Sequence, residues 1–245
     1  MRNLLLIISF DGSAYHGWQV QENAVTVQQT LQDAWESICR SIDNVVGCSR
    51  TDAGVHATCQ TANVILDGER TAEEVKEVFN RYLPETVSVD LVEICDMRFH
   101  ARLSKSRKTY TYYVFLNAKP PVFRRKYVYA YGKPLDIDKI KKACRELEGG
   151  HDFRGFATAV AKKKSTVRTV FEARADVEGD MLTIRLTGDG FLYNEVRIIV
   201  GTLLSIGCGE LDEGAVKRVF ESGDRGEAGF TAPARGLFLT DVEYE

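Results

Sequence analysis

Between Thr26 and Ile38 apolar residues return every three or four positions, at Val27, Leu31, Trp35 and Ile38. That spacing puts them on one face of an α-helix. Thr26 and Gln29 stand in capping-box spacing at its start, where two side chains satisfy the first free backbone N–H groups. The same device recurs at Thr71 and Glu74, followed by Val75, Val78, Phe79 and Tyr82, and Pro84 stops the helix. Strand-like runs flank both helices, at residues 3–10, about 45–50, 59–66 and 86–95. The first hundred residues therefore read β-α-β-β-α-β, the split βαβ or ferredoxin-like order.

The remainder follows a similar order. KTYTYYVFLN is rich in strand formers. Asp136 opens a helix carried by Ile137, Ile140, Cys144 and Leu147 and closed by Gly149. VFEARADVEGDMLTIRLTG alternates on both sides of Glu178-Gly179-Asp180 and reads as a hairpin. Leu192, Val196, Ile199 and Leu203 mark another helix, residues 213–222 a shorter one, and GLFLTDVEY a last strand. The fold class is α+β. Two halves of like order can join their sheets and leave a cleft between them. They share order without evident sequence identity, and no low-complexity linker separates them. The best boundary is a change of charge near residue 104, giving domains 1–104 and 105–245.

Net charge over the 245 residues is only −3, which by itself argues against nucleic acid. Its distribution changes the picture. Residues 105–168 hold 17 Lys and Arg against 5 Asp and Glu, a balance of +12 that leaves −15 on the rest. A solvated face is one reading of such a block. Here, however, the cations are interleaved with Tyr110, Tyr112, Tyr113, Phe115, Phe123, Tyr127, Tyr129 and Tyr131. Cations beside aromatics suit a phosphate backbone and unstacked bases, which favours nucleic acid. Lys105, Arg107, Lys108, Arg124, Arg125 and the Lys162-Lys163-Lys164 run are the candidate contacts.

Composition narrows the class further. Hydrophobic content of 44% and charged content of 27% are those of a soluble globular protein. No apolar run approaches the roughly 20 residues that cross a bilayer. The opening MRNLLLIISFDG has no small-residue cleavage site and reads as strand. The six cysteines, at 39, 48, 59, 95, 144 and 208, form no C-x-x-C pair and read as reduced, cytoplasmic thiols. The four histidines are far apart, so no metal is expected.

The stretch GCSRTDAGVHA, residues 47–57, sets Arg50, Asp52 and His56 close together. Asp and Gly build turns, so Asp52-Ala53-Gly54 reads as an ordinary turn on local grounds. The alternative is a carboxylate held for chemistry, with Arg50 as its charge partner. TDAG also resembles the aspartic-protease D-T/S-G, but Ala53 breaks that pattern and no second copy exists.

Five stretches taken together, SFDGSAYHGWQVQ, GCSRTDAGVHA, FHARLSKSRKTYTYYV, GDGFLYNEVRIIVGTLL and FTAPARGLFL, resemble the TruA-type tRNA pseudouridine synthases, in family order and across nearly the whole chain. The resemblance implies two ferredoxin-like domains around a central RNA-binding cleft, and a homodimer. It implies conversion of uridine to pseudouridine in the tRNA anticodon stem-loop at nucleotides 38, 39 and 40, with no cofactor, metal or small-molecule cosubstrate. By motif match Asp52 is the catalytic carboxylate and Tyr110 the tyrosine that stacks on the target base. Arg197 matches the basic residue that pairs with the Asp, and Arg50 an arginine that holds the flipped-out nucleotide. SFDGSAYHGWQ lies near bound RNA in the family, though strand plus turn would also account for it.

These residue types suit the reaction. It breaks the C1′–N1 bond, turns the uracil and builds a C1′–C5 bond, with no atom added. A carboxylate can attack C1′, attack C6 or remove the C2′ proton. Each route needs an ionised carboxylate, which a neighbouring guanidinium favours. His56 reads as a structural hydrogen-bonder, since Asp52 already supplies the reactive group. Without the motif, Tyr110 would read as strand core and Arg197 as a surface residue of a helix. Glu195 departs from the family, which commonly has an apolar residue there. A carboxylate at that position would pair with a nearby cation or raise the proton affinity of a close carboxylate. A non-catalytic RNA-binding protein is the second reading, and a small-molecule enzyme on the same scaffold the third.

Overall fold

The structure is a computed structural model that describes residues 1–39, 45–158 and 165–244. It is mixed α/β, with five α-helices and both parallel and antiparallel strand pairs among the described residues. The chain divides into two compact units, residues 1–106 with 238–245, and residues 107–237.

The first unit opens with β1 (Arg2–Phe10), α1 (Val27–Cys39), β2 (Val46–Gly47), β3 (His56–Leu66), α2 (Ala72–Tyr82) and β4 (Val87–Cys95). This is the expected β-α-β-β-α-β order. β1 lies antiparallel between β3 and β4, and β2 pairs antiparallel with β3. Leu4, Leu6 and Ile8 alternate inward on β1, fully buried, as a half-covered strand requires. Val27, Leu31 and Trp35 of α1 and Val75 and Phe79 of α2 are buried with them. Trp35 and Phe79 stack with ring centroids 5.3 Å apart, joining the two helices.

The two expected capping boxes differ. At α2 the exchange is complete: Thr71 accepts from the Glu74 N–H, and the Glu74 carboxylate accepts from the Thr71 N–H. At α1 only half of it forms. The Gln29 N–H donates to Thr26 Oγ1 at 3.4 Å, but the Gln29 amide turns forward to Asp33 at 2.7 Å.

The second unit contains β5 (Lys105–Phe115), β6 (Tyr129–Ala130), α3 (Ile137–Leu147), β7 (Gly149–Asp152), β8 (Val167–Glu178), β9 (Met181–Gly188), α4 (Glu195–Gly207) and α5 (Ala215–Ser222), β5 beginning two residues before the unit. β8 and β9 are the expected hairpin, turning at Gly179 with φ of +57°. β9 pairs with β5, β8 with β7, and β6 with β5. Asp136 caps α3 by accepting from the N–H groups of Asp138 and Lys139. Ile140, Cys144 and Leu147 are buried, along with Leu182, Ile184 and Leu186 of β9.

α4 begins three residues later than the apolar spacing predicts. Asn194 sits in the left-handed region at φ 62°, which breaks the helical path and leaves Leu192 outside. The last strand, β10 (Leu237–Tyr244), pairs in parallel with β3, at Phe238 with His56 and Leu239 with Ala57. A single boundary near residue 104 assigns this strand to the second half, whereas residues 238–245 belong to the first unit.

Candidate active site

In the first unit Asp52 stands on the loop that enters β3, half-buried between the buried Thr51 and Val55. Residues 12–18 form the other wall of this loop. The Trp18 N–H donates to Thr51 O at 3.2 Å and the Gly54 N–H to Tyr15 O at 3.2 Å. Val55 N–H closes a turn on Asp52 O at 3.1 Å. The walls approach so closely that two glycines are required. A Cβ on Gly12 would sit 2.0 Å from Val55 O, and one on Gly17, whose φ is +92°, 2.5 Å from Thr51 O. SFDGSAYHGWQ is thus more than strand and turn, because it fixes the backbone that carries Asp52.

His56 closes the base of the loop. It is fully buried and stacks on Phe238 with centroids 4.6 Å apart. Its Nδ1 accepts the Gly12 N–H at 3.0 Å, which puts the ring proton on Nε2. This is the structural role expected of it. Below the loop, the Gln60 amide donates to Ser49 O at 2.8 Å while its Oε1 accepts from the Cys48 thiol at 3.2 Å. Arg50 is exposed.

In the second unit Tyr110 lies on β5 opposite Leu186. It is buried and meets Phe191 edge-on at 5.4 Å. Arg197, on the first turns of α4, is held in position. Its Nε donates to Ala232 O at 2.7 Å and a terminal nitrogen donates to Asn194 Oδ1 at 2.9 Å. The Ala232 N–H donates back to Arg197 O at 3.0 Å. Asn194 in turn donates to Thr158 Oγ1 at 2.8 Å. Gly201 and Gly229 let residues 229–232 lie flat on α4, since a Cβ on Gly201 would meet Phe230 O at 1.7 Å.

The whole chain aligns with curated proteins of known type. It is 41% identical over 244 residues to a tRNA pseudouridine synthase A of Clostridium kluyveri, and 42% over 246 residues to one of Thermoanaerobacter sp. strain X514, with 100% of both chains covered in each case. The tRNA pseudouridine synthase family itself matches residues 6–103 and 143–245. The chain belongs to that family. It is an isomerase that turns uridine into pseudouridine in tRNA. A looser likeness, to a solved structure titled "Crystal Structure of a Cbf5-Nop10-Gar1 Complex", covers 96% of this chain and 57% of that chain at 13% identity; its TM-score of 0.39 is too low to show a common fold.

Within the synthase, Asp52, Arg50 and Arg197 fall inside the residues matched by the family, and Tyr110 outside them. Asp52 and Arg50 lie in the first unit, Tyr110 and Arg197 in the second. The basic block is more occupied than its composition suggests. Lys133 pairs with Glu210, and Lys139 and Lys142 with Glu213. Arg107 is exposed and lies over the Phe171 ring at 4.7 Å, whereas Lys108 is buried. Tyr110, Tyr112 and Tyr131 are buried, while Phe123 is 92% exposed beside the exposed Arg124 and Arg125. The Lys162-Lys163-Lys164 run and the Lys105 side chain lie outside the described residues. Among the described residues no three His, Cys, Asp or Glu side chains are grouped to hold a metal ion, and no helix is long and apolar enough to cross a membrane.

Glu195 feels the charges of Arg168 and Lys108 and of the neighbouring carboxylate Asp189, as a carboxylate at its position would, but burial outweighs the cations. It is fully buried, with Oε2 accepting from the Leu192 N–H at 2.7 Å and Oε1 without a hydrogen-bond partner among the described residues. Burial pushes its pKa up to about 8, against the opposing Leu192 bond and the charges of Arg168 and Lys108. At neutral pH it is a neutral acid that closes the first turn of α4. The residue types alone did not reveal this, nor the Asn194 and Ala232 clamp on Arg197. The only signals were GFLYN shortly before the motif arginine and FTAPARG among the stretches in family order.

Proposed function

We propose that the synthase acts on the anticodon stem-loop of tRNA, converting uridines 38, 39 and 40, with Asp52 as its catalytic carboxylate. The observation that carries this reading is the fixed Asp52 loop, gripped by backbone hydrogen bonds from both walls and by two obligatory glycines. A carboxylate on such a loop loses little freedom when a base arrives, which is how positioning lowers a barrier.

Asp52 acts ionised, whether by attack on C1′, by attack on C6 or by removing the C2′ proton. After the C1′–N1 bond breaks, the uracil turns, C1′ bonds to C5, the C5 proton leaves to solvent and the freed N1 takes up a proton in its place. Arg197 supplies the guanidinium that favours the charged carboxylate, with its fork already oriented by Asn194 and Ala232. Tyr110 supplies the ring for the target base, and Arg50 holds the extruded nucleotide. Taking that nucleotide out of its stack costs a few kcal/mol. Two ferredoxin-like domains around a central cleft, working as a cytoplasmic homodimer with the exposed Arg107 toward the RNA, complete the proposal.

The test is incubation of the pure protein with unmodified tRNA carrying tritium at uracil C5. Tritium release without added cofactor is expected, and its loss in Asp52→Ala with tRNA affinity nearly unchanged. Appreciable turnover by Asp52→Ala would overturn the assignment.

A further inference from the structure

A hollow of about 330 Å³ opens in the first unit beside the Asp52 loop, lined among others by Trp18, Gln19, Gln32, Ser49, Arg50 and Arg102. Asp52 is not part of its wall. Arg50, two residues away in sequence, is.

The wall is built. Trp18 is buried, and its indole lies over β2 only because position 47 is glycine; a Cβ there would come 2.4 Å from the ring. Gln28 is spent on the backbone, accepting from the Val20 N–H at 3.2 Å and donating to Val45 O at 2.9 Å. Arg102 stands on a short loop whose backbone is pinned by buried amides. Asn63 Oδ1 accepts the Ala101 N–H at 2.9 Å, and the Asn3 amide donates to Phe99 O at 2.8 Å. Tyr244 donates to Ala101 O at 2.9 Å. The exposed guanidinium of Arg102 thus projects from a fixed backbone.

The chemistry of the lining selects an occupant. Two guanidiniums and several amides face the hollow, and among the described residues no carboxylate does. Guanidiniums take phosphate bidentately, and amides read the edge of a base. The volume is at the low end of the roughly 300–1,000 Å³ of small-ligand sites. It admits one nucleotide and excludes a duplex. We propose that this hollow seats an unpaired nucleotide neighbouring the target uridine, its phosphate taken by Arg102 beside Arg50 and its base edge by Gln19. The seated neighbour sets which uridine reaches Asp52, so the hollow governs site choice in the tRNA. This rests on the proposed tRNA activity.

The experiment compares wild type with Arg102→Ala and Arg102→Lys on C5-tritiated tRNA transcripts, intact and with single abasic nucleotides flanking the target. Arg102→Ala is expected to lower kcat/KM about tenfold or more through KM, and to reduce the salt slope of tRNA binding by about one unit. Arg102→Lys restores part of the loss. At one flanking position the abasic loss shrinks in a third variant, Gln19→Ala, because that change and the missing base remove one contact. Additive losses at every position, or an Arg102→Ala protein equal to an active wild type, overturn the subsite alone. A wild type that releases no tritium overturns the activity beneath it.

Discussion

Arg197 and Ala232 hold each other by two hydrogen bonds, one from the guanidinium Nε to Ala232 O at 2.7 Å and one from the Ala232 N–H to Arg197 O at 3.0 Å. The cation that carries the family motif is therefore oriented by a backbone carbonyl 35 residues away.

Arg197→Lys keeps the charge and loses the planar fork, since an ammonium cannot reproduce the bonds to Ala232 and Asn194 together. Turnover is expected to fall at least about tenfold, with stability reduced by about 1–3 kcal/mol, the range for hydrogen bonds to a charged group. Tritium release and urea unfolding measured side by side check this. A lysine variant with full activity would show that charge alone suffices.

Gly17→Ala is expected to damage the Asp52 loop without touching a reactive group. The new Cβ would press on Thr51 O at 2.5 Å, at a φ of +92°. Strain of about 1–3 kcal/mol follows, with a drop in kcat, because Thr51 and Asp52 move together. A Gly17→Ala protein with wild-type melting temperature and wild-type kcat would mean that the loop tolerates displacement.

His56→Phe keeps a stacking ring over Phe238 but leaves the Gly12 N–H buried without its acceptor. The expected cost is about 1–3 kcal/mol, seen as a lower denaturant midpoint, while purified folded protein retains most of its turnover. Loss of chemistry as complete as in Asp52→Ala, at unchanged stability, would make His56 a catalyst instead.

Glu195 makes stability fall as pH rises. Below the ordinary carboxyl range it is protonated in both folded and unfolded chains. Between that range and about 8 the folded chain holds the proton and the unfolded chain does not. Each pH unit in this window therefore costs up to about 1.4 kcal/mol. Above about 8 both states are ionised and the slope vanishes. Glu195→Gln has no proton to lose, so its stability relative to wild type should climb between pH 5 and about 8. Urea unfolding of both proteins at three pH values measures the difference, and a constant difference would mean that Glu195 is ionised when folded.

Much of the fold was legible because it is written in local repeats. Apolar spacing placed α1, α2 and α3 on their buried faces, and Thr71 with Glu74 marked a helix start with a complete capping exchange. The candidate site was legible as a string, RTDAGVHA, on a loop where Asp and Gly belong. Other readings failed where distance along the chain mattered. Gln29 had the right spacing for a cap, yet Asp33 won its amide. Tyr112 and Tyr131 looked like part of an aromatic surface in a basic block but are buried. Leu192 kept helical spacing while Asn194 turned the backbone away.

By itself the sequence determined the elements, the family and the residue types available for chemistry, since periodicity, capping and motif are properties of neighbours along the chain. Only the tertiary structure decided that residues 238–245 join the first unit and that Gly12 donates to His56. It also decided that Ala232 aims Arg197 and that Glu195 is a neutral acid. Each of these depends on a partner or a loss of water created by residues remote in sequence, and burial and hydrogen-bond geometry have no signature in a local pattern.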